Sequence, residues 1–138
     1  MIILDTNIIS EMMKQSPTLS VITWVNSQKT ANLYITSITI GEIEYGIQSL
    51  PVSRRRKTLE NAFNKVIKSA FSHRILSFDE SSAYVYGELM SHRKHLGLPL
   101  SILDGQIAAI AISNQFALAT RNTKDFTECS IELINPFD

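Results

Sequence analysis

Five short apolar runs, separated by stretches of helical periodicity, leave this chain few ways to fold. The runs are Ile2–Leu4, Leu33–Thr36, Ile75–Phe78, Ala117–Ala119 and Ile131–Ile134. Each is too brief for a helix, and Ile2-Ile-Leu4 is apolar at every position, the pattern of a strand covered on both faces. Between the runs, apolar residues recur on one helical face. They do so at Val21, Trp24 and Val25, and again at Ile40, Ile43, Ile47 and Leu50. A third set is Leu59, Phe63, Val66, Ile67, Ala70 and Phe71, and a fourth is Ile107, Ile110 and Ala111 beside the helix-forming Ala108 and Ala109. Pro51 punctuates one helix end, and Gly97-Leu-Pro99 makes a loop ahead of another. With no repeat, low-complexity segment or linker, the alternation predicts an α/β layer sandwich around a mostly parallel sheet, a single domain over residues 1–138.

Charge and cysteine usage narrow the function classes. Thirteen Lys and Arg balance thirteen Asp and Glu, so no global basic field draws in nucleic acid, and any such binding must come from local patches or a bound metal. No apolar stretch approaches the roughly 18 residues that cross a bilayer, so no membrane partner is expected. The N-terminus lacks a basic n-region and a long h-region, and Asp5 interrupts the apolar run. The lone Cys129 forms no internal disulfide, which suits a reducing cytoplasm.

Four carboxylates stand where strands give way to helices or where helices begin. Asp5 ends the first apolar run, and Glu42 follows the second in Thr36-Ser-Ile-Thr-Ile-Gly-Glu42. Asp104 opens the helix that runs through Ala108, and Asp125 follows the fourth run in Thr120-Arg-Asn-Thr-Lys-Asp125. Each alone reads as a cap. Thr39-x-x-Glu42, Ser101-x-x-Asp104 and Asn122-x-x-Asp125 fit the capping box, and Asp5 or Asn7 can N-cap the first helix. Together they read differently, because open α/β folds bring strand ends to one rim. Each close pair of carboxylates there costs about 4 kcal/mol at an effective dielectric near 20, so a cation is expected among them. An all-oxygen donor set favours Mg²⁺ or Mn²⁺ over Zn²⁺.

In five ordered blocks the chain resembles the PIN-domain family, specifically the VapC-type toxins of bacterial toxin–antitoxin modules. The blocks are Ile3-Leu-Asp-Thr-Asn-Ile-Ile-Ser-Glu11, Ile38-Thr-Ile-Gly-Glu-Ile-Glu-Tyr-Gly46, Asp104-Gly-Gln-Ile-Ala-Ala109, Leu118-Ala-Thr-Arg-Asn-Thr-Lys-Asp-Phe126 and Leu133-Ile-Asn-Pro-Phe137. The resemblance implies a three-layer PIN-like sandwich and a Mg²⁺- or Mn²⁺-dependent endoribonuclease that hydrolyses RNA phosphodiester bonds with a metal-activated water. It maps the acidic pocket onto Asp5, Glu42 and Asp104, with a fourth group from the Thr120–Phe126 block, at Asn122 in some relatives and at Asp125 in others. Asp5 and Asp104 would hold the principal ion, Glu42 would act through water, and Asp125 would complete the charge or hold a second ion. Thr6 and Thr120 would fix the carboxylates by their hydroxyls. A homodimer and a cognate antitoxin wrapped near the site are implied as partners, with operator DNA bound only through the antitoxin. The rival within the family is an inert PIN module that binds RNA or a protein without cutting.

Other chemistry is poorly supported. His73, His92 and His95 lie in or beside mid-chain helical segments, outside the acidic blocks, and read as solvated. Ser10, Ser101 and Cys129 have no recognisable base in sequence. A haloacid-dehalogenase-type phosphatase would need an acid where Asn7 stands, and a phospho-receiver would trap phosphate on Asp. Arg54-Arg-Arg-Lys57 opposes a helix dipole and reads either as a solvated turn or as an RNA-phosphate contact, joined by Arg93, Lys94, Arg121 and Lys124. Arg121 and Lys124 are favoured for RNA binding because they flank the acidic block. Trp24, Tyr45 and Ile47 could serve the core or an interface, with Ile47 assigned to the core.

Overall fold

The computed structural model describes residues 1–138. Five strands, β1 (Ile2–Leu4), β2 (Leu33–Thr36), β3 (Ile75–Leu76), β4 (Ala117–Ala119) and β5 (Leu133–Ile134), form a sheet in the order β3-β2-β1-β4-β5. Every pairing is parallel. Six helices cover it: α1 (Thr6–Met12), α2 (Leu19–Ser27), α3 (Ser37–Gln48), α4 (Arg54–Lys65), α5 (Glu80–His95) and α6 (Ile102–Asn114). None is long and apolar enough to cross a membrane.

Alternation along the strands sorts the core into two layers. Leu4, Ile35 and Ala119 face one side, where they pack with Ile8, Ile9, Val21, Ile43 and Phe63 from α1 to α4. Their neighbours Ile3 and Leu118 face the other side, against Leu89 of α5 and Ile107 and Ile110 of α6. The expected three-layer parallel sandwich is therefore what forms. Trp24 lies partly buried against the first layer, Ile47 is inside it, and Tyr45 is exposed.

The expected strand ends at Phe78 and Ile131 are trimmed, to Leu76 and to Leu133. Both β3 and β5 are edge strands, paired on one side only, so hydrophobicity alone does not mark where their hydrogen bonds stop. The helix of the third apolar set begins at Arg54 and continues through a π-helical turn over Val66–Ala70.

Topology fixes the location of the site. Chain order reverses between β1 and β4, the switch point beyond whose carboxyl ends open α/β folds gather ligands. Leu4 pairs with Ala119, which brings Asp5 and Thr120 side by side one residue on. Thr36 ends β2 two residues beyond the Tyr34 that pairs with Ile3, level with Asp5. Helix α6 runs back against the sheet, so its N-terminus, with Asp104, returns to the same rim.

Candidate active site

Asp5 is 4% exposed and is held at both oxygens. Its Oδ1 accepts from the Thr6 amide at 2.8 Å, which makes it the N-cap of α1. Its Oδ2 accepts from the Thr120 hydroxyl at 2.8 Å and from Asn7 Nδ2 at 3.4 Å. Asn7 also reaches Thr120 and accepts from the Arg121 amide at 3.2 Å, tying α1 to the β4 end. Burial pushes the Asp5 carboxyl up from 3.8 to about 6, against the lowering effect of the Thr120 and Thr6 hydrogen bonds, with Asp104 and Glu42 adding repulsion.

Glu42 is not a capping residue. The N-cap of α3 is Thr36, whose hydroxyl accepts from the Thr39 amide at 3.1 Å. The Thr39–Glu42 capping box expected from spacing is thus displaced by one turn, and Glu42 lies in the second turn of the helix. There its Oε1 accepts from the Thr6 hydroxyl at 2.8 Å. Because Thr6 spends its proton on a carboxylate, it must accept from Thr39 Oγ1 at 3.0 Å, and Thr39 in turn accepts from Thr36 at 3.5 Å. A one-way chain of hydroxyls, Thr36 to Thr39 to Thr6, so ends on Glu42.

Asp104 does occupy the capping box expected of it: Ser101 caps α6 and accepts from the Asp104 amide at 3.2 Å. Its carboxyl is half-buried and raised from its ordinary value, chiefly by desolvation, with the charge of Asp125 adding to the effect and a Ser101 hydrogen bond opposing it.

Asp5, Glu42 and Asp104 line one pocket of about 360 Å³ with no hydrophobic residue in its wall. Thr6, Asn7, Arg121 and Asn122 share it, and the Asn122 amide donates to Thr120 Oγ1 at 3.1 Å. Arg121 stacks its guanidinium 4.0 Å from the Phe137 ring centre. Asp125 and Lys124 stand apart, in a neighbouring cavity that shares Asp104. Asp125 is exposed on a 3₁₀ turn, Thr123–Phe126, whose Asn122 N-cap makes no side-chain bond.

None of the chain's ion pairs involves Asp5, Glu42 or Asp104. Two proton-favouring carboxyls and a third acid, all oxygen donors and none ion-paired with Lys or Arg, fit a hard divalent cation. No three His, Cys, Asp or Glu side chains converge closely enough to hold an ion by themselves, so an ion bound here would have to keep several of its own waters.

Several residues of the site escaped the sequence reading. Thr39 and Thr36 orient Thr6; the signal was a hydroxyl one turn before Glu42 on the same helical face. Glu11, one helical face along from Asp5, is buried and held down to about 2 by Lys14 at 2.6 Å and by Thr18. Arg93, expected as an RNA contact, is buried instead. It donates to the Thr127 carbonyl and to the Asp125 carbonyl at 2.9 Å, so it is a clamp for the Asp125 turn. His92 and His95 are exposed, as expected.

A family model described as PIN domain matches residues 2–130. The VapC ribonuclease Y4jK of Sinorhizobium fredii is 36% identical over 138 residues, covering 100% of this chain and 99% of that protein. Toxin FitB of Neisseria gonorrhoeae is 34% identical over 137 residues, with 99% of each chain covered. A solved structure of FitAB bound to an IR36 DNA fragment superposes with a TM-score of 0.94 at 33% identity, covering 100% of this chain and 96% of that one.

Proposed function

The chain belongs to the PIN-domain family, and on that premise we propose that residues 1–138 form one nuclease domain, the endoribonuclease toxin of a toxin–antitoxin module. One observation carries the reading: three carboxylates, from the end of β1, from α3 and from α6, line one wholly polar pocket, and none of them is in an ion pair with a Lys or Arg of the chain. An inert binding module has no use for that repulsion.

Asp5 and Asp104 would hold the divalent ion, Mg²⁺ or Mn²⁺, with Glu42 acting on it through water. When bound, the ion supplies a water of lowered pKa and charge to offset that on the phosphate oxygens. Thr120 and the Thr6 amide fix both oxygens of Asp5, so its carboxylate does not rotate as the reaction proceeds. Thr6 fixes Oε1 of Glu42 and leaves Oε2, free of any hydrogen bond within the chain, to take the proton of the attacking water. Of the two candidates for the fourth position, Asn122 lines the pocket and orients a water there, while Asp125 acts from the next cavity through its charge on Asp104. Arg121 at the pocket wall, and Lys124 beside it, meet RNA phosphates.

The partners follow from the relatives. The antitoxin complexes among them support a cognate antitoxin, with operator DNA bound through it; an antitoxin seated over the pocket and a toxin homodimer complete the proposal. Cys129, a buried free thiol, suits the reducing cytoplasm where RNA is the substrate. The test is cleavage of total cellular RNA by antitoxin-free protein with Mg²⁺ or Mn²⁺, beside EDTA and Asp104→Asn controls. Discrete fragments lost in both controls support the reading. Intact RNA from folded, metal-loaded protein leaves the inert binding module in its place.

A further inference from the structure

A second cavity, of about 640 Å³, adjoins the acidic pocket through two shared wall residues, Ser10 and Lys14. It lies between the end of α1 and the first turns of α4. Arg54 and Arg55 line it above Met13, Leu59 and Ala62. The helix divides the Arg54–Lys57 cluster into two functions. Arg56 Nε pairs with Glu60 at 3.1 Å and Lys57 Nζ approaches the same carboxylate at 3.9 Å, whereas Arg54 and Arg55 have no acidic partner. Both occupy the first turn of α4, which contains no acid, so each charge opposes the helix dipole. Two exposed guanidinium groups thus stand at a locally unfavourable place, in no ion pair with this chain, beside a groove that opens onto the acidic pocket.

Resting on the ribonuclease reading above, we infer that this groove binds the RNA strand next to the scissile bond, Arg54 and Arg55 each meeting a backbone phosphate. The charge pattern favours a polyanion that must also approach three carboxylates. Its phosphates are held by the groove cations, while the scissile one enters the acidic pocket. Lys14 stands at the junction, but its ammonium is committed to Glu11 at 2.6 Å, so the two arginines carry the contact.

The test uses the 138-residue chain, antitoxin-free and carrying Asp104→Asn, in EDTA, and a fluorescein-labelled single-stranded RNA oligonucleotide read by anisotropy across a salt series. Losing two phosphate contacts flattens the slope of log affinity against log salt by about 1.4, at 0.7 per contact on a single strand. Between roughly 50 and 200 mM salt the affinity gap between parent and Arg54→Gln/Arg55→Gln protein then narrows about sevenfold. A control pair on exposed α4 positions outside the groove, Lys57→Gln/Lys65→Gln, leaves the slope unchanged. Arg54→Gln/Arg55→Gln also raises the Tm slightly, since it relieves the dipole, so weaker binding does not arise from unfolding. An unchanged slope, an equal change from the control pair, or loss of antitoxin binding with RNA binding intact overturns the inference. Because binding is read on uncleaved RNA, wild-type protein that cuts RNA while the slope stays fixed removes the groove and leaves the ribonuclease reading standing.

Discussion

Replacing Asp5 by Asn should make the metal-free protein more stable at neutral pH while abolishing cleavage. The Asp5 carboxyl is 4% exposed, and burial lifts it from 3.8 to about 6. The folded state therefore binds the proton more tightly than the unfolded chain. The stability this gives is fully present below 3.8 and is lost as pH rises through 6. At 1.36 kcal/mol per tenfold change in proton affinity, a buried Asp5 charge costs about 3 kcal/mol at pH 7.5, falling to about 1 kcal/mol at pH 4.5. Asparagine keeps one acceptor, for the Thr6 amide, and turns its NH₂ toward Thr120 and Asn7, which costs about 1 kcal/mol in lost hydrogen bonding. Asp5→Asn should thus gain about 2 kcal/mol at pH 7.5 and break even near pH 4.5. Urea unfolding of both proteins in EDTA at the two pH values measures this. Added Mg²⁺ should then stabilise the wild type and not the variant, since the ion binds the charged form. The same stability difference at both pH values would refute the electrostatic reasoning.

Thr6→Val breaks the hydroxyl chain to Glu42 and should lower cleavage about 10- to 100-fold, with Thr6→Ser restoring it, in single-turnover assays with the circular dichroism unchanged. Asp125→Asn should hold cleavage within about tenfold of wild type, because an exposed charge acting on Asp104 from another cavity is screened, whereas Asp104→Asn falls to the EDTA background. Arg93→Met leaves the Thr127 and Asp125 carbonyls without their donor and should cost about 2–4 kcal/mol in urea unfolding; a loss below this range would show that the clamp is dispensable.

Much of the frame was legible because local patterns carry it. Ile2-Ile-Leu4, Leu33–Thr36 and Ala117–Ala119 are inner strands whose continuous apolar runs mark their own bounds. The edges were less legible, since β3 and β5 stop where pairing stops. Helix α5 left a weak imprint. Leu89 is its one buried large apolar residue, beside Ser82 and Arg93, and the helix fits against α6 at Gly105, where a Cβ would come 2.5 Å from Met90 Sδ. That closeness is a property of two helices and of neither alone.

The sequence by itself determined that acids would stand at strand ends and helix starts, because capping chemistry and apolar periodicity act over a few residues. Which acids share a pocket was decided only in three dimensions. Asp5, Glu42 and Asp104 come from segments 37 and 62 residues apart and meet because parallel crossovers return every strand end to one rim. Asp125, just as well placed in sequence, is drawn into the next cavity, where Arg93, 32 residues earlier, holds its carbonyl. Glu42 does not cap its own helix because Thr36 starts α3 one turn earlier; that it faces instead a hydroxyl 36 residues away is a contact made across the fold, which no local pattern records.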